Sequence, residues 1–155
     1  MSDELSPAEH AGEIEAARDR FLAFVRQCSG QDWRAAPVDG DPRPVGVIFD
    51  HVAHSYEYLA GWVGDLVAGT PVDVNPDIVD ALNAEHAAGI ESVTPDHVTE
   101  HLRSSGDVLI SLIAGLAPAQ LDADGGRVRR FAQIAARHAD NHRSEIESAL
   151  QTAAS

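Results

Sequence analysis

The chain contains no lysine. Eleven arginines face twenty-five carboxylates, giving a net charge of −14 over 155 residues. A nucleic-acid surface needs a basic footprint, so this balance excludes one. It argues equally against docking on anionic lipid. Cysteine is almost absent. Cys28 stands alone and cannot close an internal disulfide; on the apolar side of the first predicted helix it reads as a buried, inert thiol. No apolar run approaches the ~20 residues that span a bilayer. The opening stretch MSDELSPAEH has neither a charged-then-apolar signal nor an arginine-rich transit pattern. Together these absences point to a cytoplasmic protein whose partners are neither nucleic acid nor membrane.

Aromatics are scarce at 5%, and no alternating strand pattern, repeat or interdomain linker interrupts the chain. Alanine is abundant, which favours helices that approach one another closely. The length fits one domain over residues 1–155, able to bury roughly two-thirds of its unfolded surface. Ser6-Pro7 opens a helix that Ser29-Gly30 stops, with Ile14, Phe21, Val25 and Cys28 at helical spacing. The stretch 31–43, with Pro37, Gly40 and Pro42, reads as a loop. A second helix spans about 44–68, a shorter third starts at Asn75-Pro76, and a fourth starts at Thr94-Pro95. Ala117-Pro118 and the segment 122–126 break the fourth, and a last helix covers about 127–152. The expected fold is all-α: an antiparallel four-helix bundle with one short extra helix.

A helix turns about 100° per residue. With Phe131 as reference on the last helix, Ala135, His138, His142, Glu145 and Ala149 fall within about 40° of it. The two histidines therefore sit in the stripe that faces the core. An unpaired buried imidazole costs on the order of 1–3 kcal/mol, so something must satisfy them. Their i,i+4 spacing lets two nitrogens reach one ion. Hydrogen-bonded core histidines would satisfy the same pattern. On the second helix His51 lies about 60° from Ile48 and faces inward, whereas His54 lies about 120° away and should meet solvent. His51 supplies the third ligand that a bundle-core metal site needs, and three protein nitrogens leave a position open, as catalytic sites do. A rival i,i+4 pair, His97 and His101, falls at the edge of the fourth helix's stripe beside Asp96 and Glu100 and reads as a solvated face. It is not a His-Glu-x-x-His motif. His10 and His86 read as surface residues.

Two segments carry a family resemblance: VGVIFDHVAHSYEYLAGWV at 45–63 and RHADNHRSEI at 137–146. They resemble the first-histidine helix and the His-x-x-x-His-Arg signature of the DinB-like (YfiT-like) metalloenzyme superfamily, which includes the mycothiol-dependent maleylpyruvate isomerases. VDALNAEHAAG at 79–89 resembles a common mid-domain stretch. The resemblance implies an up-down-down-up bundle, frequent homodimers, and zinc or nickel held by His51, His138 and His142, the three that the helix faces also select. It implies thiol-cofactor chemistry, such as S-transfer or thiol-dependent isomerisation of a small-molecule substrate, with mycothiol as a candidate thiol. Glu145 stands where many members have glutamine, and Arg43-Pro44 where they have a tryptophan. Glu145 is the candidate catalytic residue, as base or as orienter of His142. Two other readings remain open: a metal-binding or stress-related helical module without turnover, and an interaction protein with merely packed histidines.

Overall fold

The computed structural model describes residues 4–90 and 93–153. Residues 1–3 of the opening stretch lie outside that range. Helix α1 (Pro7–Gln27) starts on a reciprocal cap, with Ser6 Oγ accepting from the Glu9 amide and Glu9 from the Ser6 amide. The same device starts α2 (Gly30–Arg34), where Ser29 and Asp32 cap each other and Trp33 is buried. That short helix corrects the reading of 31–43 as uninterrupted loop. Its cap signal, Ser-x-x-Asp, was hidden among the turn residues. Helix α3 (Val45–Val67) follows Pro44. Asn75 caps α4 (Pro76–Gly89), and Thr94 caps α5 (Pro95–Ala114). A 3-10 turn (Pro118–Asp122) leads into α6 (Ala123–Ala153). Asp124, Gly125 and Gly126 take left-handed φ values of 52°, 68° and 85° there, so regular helix begins after Gly126.

Helices α1 and α3 each pack against both α5 and α6, which puts α1 across the core from α3 and α5 across from α6. The result is the expected all-α four-helix bundle. The core is aliphatic, with Ile14, Ile48, Val52, Val63, Leu102, Ile113, Val128 and Ile146 fully buried, and Phe21 meeting Phe49 edge-on at 5.3 Å. Ala135 and Ala139 are fully buried on α6, where their small side chains admit close neighbours. Helix α4 packs on α3, and His86 is its buried residue. Among the described residues no single helix is long and apolar enough to cross a membrane. Cys28 is half-buried rather than fully buried, and burial pushes its thiol up to about 11, which keeps it protonated and unreactive.

One close approach sets the start of α3. Gly46 lies against the indole of Trp33, and a Cβ there would overlap the ring. Trp33 Nε1 donates to the Val93 carbonyl at 2.7 Å, tying α2 to the entry of α5. The N-terminal half of α3 is thereby covered on all sides, with residues 45–53 buried without a break.

Candidate metal centre

Three imidazoles meet between α3 and α6. His51 Nε2 lies 3.1 Å from His138 Nε2. The ring centroids are 5.1 Å apart for His51–His138, 5.2 Å for His51–His142 and 4.5 Å for His138–His142. One nitrogen from each falls within 4.8 Å of the others. Two ligands at zinc–nitrogen distances in a tetrahedron stand about 3.3 Å apart. The His51–His138 separation already matches that.

Burial depresses all three side chains, Arg43 adds to it at each, and neighbouring imidazoles add further at His51 and His138. His51 drops to about 2, His138 and His142 to about 4. At neutral pH all three are therefore uncharged and their lone pairs are available, the form a cation requires. His51 is 2% exposed, and its Nδ1 is buried with no partner among the described residues. Such a cluster of neutral imidazoles fits a divalent ion on its donor chemistry alone.

The entry to α3 adds a charged pair. Arg43 is clamped by Asp41, with Nε 2.9 Å from Oδ1 and Nη2 2.7 Å from Oδ2, and the Arg43 amide also donates to Oδ1. Thus Arg43 and Pro44, at the place where the resemblance implies a tryptophan, set a neutralised ion pair near the triad. Glu145 is half-exposed, its Oε1 3.8 Å from His142 Nδ1, which is a neighbour's distance rather than a hydrogen bond.

The DinB superfamily profile matches residues 13–146, from α1 through both histidines of α6. The chain belongs to the DinB superfamily. Comparison with curated proteins and with solved structures gives no match.

A second cluster in this DinB-superfamily chain corrects several sequence readings. Asp50, adjacent to His51, is 1% exposed. Its Oδ2 accepts from His86 Nε2 at 2.8 Å and its Oδ1 from His101 Nδ1 at 2.7 Å. His97 Nε2 stands 3.5 Å from the same Oδ1, and His101 Nε2 bonds Glu57 Oε1. His101 is therefore no solvated face residue; the carboxylates of Asp50 and Glu57 raise its imidazole to about 9. His97 is 58% exposed, as expected of that pair's rim. His86 is buried, not on the surface, and stacks on a half-buried His54 at 4.9 Å. His10 is also buried, beside Arg129 Nη1 at 3.3 Å. His86 and His101 were misplaced because α4 and α5 cover the side of α3 that a helical wheel leaves to solvent, and His10 on α1 because Arg129 of α6 lies against it. The unbroken apolar run Val47-Ile48-Phe49 just before Asp50 was the available signal.

Proposed function

We propose that this protein is a metal-dependent enzyme that acts on a low-molecular-weight thiol, as a transferase or isomerase, with zinc or nickel held by His51, His138 and His142. The observation that carries the reading is the convergence of three neutral imidazoles from two helices, with no carboxylate within hydrogen-bond distance of any of them among the described residues. Three neutral ligands leave a divalent ion its full charge and at least one position for substrate. When bound, the ion supplies Lewis acidity that lowers the pKa of a thiol or water presented to it.

The chain's own residues do the rest. His51, buried at the rear, fixes the site to α3, while the i,i+4 pair fixes it to α6. Glu145 holds the Nδ1 proton of His142 after a small side-chain rotation, which orients the other nitrogen inward. A groove of about 350 Å³, lined by Arg130, Gln133, Ile134, Arg137, His138 and Asn141, leads to His138 and is the proposed substrate approach. Arg130 and Arg137 are exposed on its rim and place positive charge where an acidic thiol or co-substrate would pass.

The test is a turnover assay of tag-free protein with a panel of thiols, mycothiol included, against electrophilic and isomerisable acceptors. The zinc- or nickel-loaded protein is expected to consume thiol or convert acceptor, and the chelated protein is not. Stoichiometric metal with no turnover across the panel would refute the enzyme reading and leave a non-catalytic metal-binding module.

A further inference from the structure

We propose that Asp50, His97 and His101 form a second divalent-cation site, separate from the triad and open to solvent. Two imidazoles and one carboxylate suit a first-row cation of the zinc, cobalt or nickel kind. One donor atom from each residue lies within 4.8 Å of the others. The two imidazole nitrogens converge on a single oxygen, Asp50 Oδ1, at 3.5 Å and 2.7 Å.

Both inner donors are braced from behind. Asp50 Oδ2 is held by His86 Nε2 at 2.8 Å, so Oδ1 cannot rotate away from the two imidazoles. His101 turns its far nitrogen, Nε2, to the Glu57 carboxylate. Metal-bound histidines characteristically give their outer N–H to a carboxylate, which fixes the tautomer and strengthens the donor. His86 and His101 already bond both oxygens of the buried Asp50. His97 is superfluous to that bonding, yet it stands 3.5 Å from Oδ1 with most of its ring in solvent. Thr94 Oγ1 caps the His97 amide and fixes the helix turn that carries it.

Asp50 and His51 diverge by about 100° on α3, and the two clusters have no donor residue in common, so they do not share an ion. His97 gives the second site an entry from solvent, and the net charge of −14 draws cations toward it. His97 is mostly in solvent and must be ordered when an ion binds, so this ion binds more weakly than the one in the triad.

The experiment is a cobalt(II) titration of the full, tag-free chain at pH 8, followed by calorimetry and visible absorption. Two equivalents are expected, the second weaker. His97→Ala, at an exposed position, should weaken the second by at least about tenfold and leave the first unchanged. His138→Ala with His142→Ala should remove the first and spare the second. An equivalent that weakens with His97→Ala supports the proposal whether or not the triad binds. If no equivalent responds to His97→Ala, the second site does not exist.

Discussion

Mild acid should destabilise the metal-free protein, and the triad should be the reason. An unfolded histidine titrates near 6.5, but His138 and His142 stay neutral in the fold down to about 4 and His51 to about 2. The folded state thus binds fewer protons than the unfolded state between those values, and stability falls as pH falls through that window. At roughly 1.4 kcal/mol per pH unit, each neutral histidine costs the fold about 2 kcal/mol at pH 5. His142 keeps 18% of its side chain in water, and local hydration trims the total for the three to roughly 4 kcal/mol. Ordinary carboxylates stay ionised at pH 5 in both states, so pH 7 to 5 isolates the imidazoles. The assay is urea unfolding of chelated protein, followed by circular dichroism at several pH values. The double variant His138→Ala, His142→Ala should lose more than half of this pH dependence. With metal present, the ion competes with protons and should hold stability level to about pH 6 before it is released cooperatively. A metal-free protein equally stable at pH 7 and 5, or a double variant with the wild-type slope, would refute the argument.

On the alkaline side the sign reverses: the contribution of His101, raised to about 9 by Asp50 and Glu57, is complete below about 6.5 and lost as pH climbs through 9. With His101 partly exposed, about 1 kcal/mol should disappear between pH 7 and 9.5, and His101→Gln should abolish that loss in the same unfolding assay. Gly46→Ala drives a methyl into the Trp33 ring and breaks the Trp33–Val93 bond; overpacking a rigid ring and losing a hydrogen bond should cost about 3 kcal/mol, a melting shift of roughly 6–12 °C by calorimetry. Glu145→Gln should keep the ion but weaken zinc affinity up to about tenfold in competition with a chromophoric chelator, and unchanged affinity would remove Glu145 from the site.

Most of the bundle was legible because its signals are local. Ser6, Asn75 and Thr94 with the prolines beside or after them mark helix starts, and Gly125-Gly126 marks the irregular first turn of α6. The triad was legible for the same reason: His138 and His142 share one apolar stripe, and His51 flanks another. What escaped depended on which helix covers which. Asp50 lies about 200° from Ile48 on the wheel, a position that is solvent on a one-sided helix. Here α4 brings His86 and α5 brings His101 over it. A short helix such as α2 escaped because five residues carry no period, only a cap and one buried Trp33. Packing order, not helix propensity, was the missing information.

Metal analysis of protein purified without an affinity tag decides whether His51, His138 and His142 hold one divalent ion. After loading with one equivalent of zinc and gel filtration, the wild type should retain about one ion per chain. With the second site disabled by His97→Ala, the chain should still retain about one ion, and adding His138→Ala or His142→Ala should leave almost none. Protein with an intact triad that emerges without zinc, or triad variants in the His97→Ala background that keep it, would overturn that assignment.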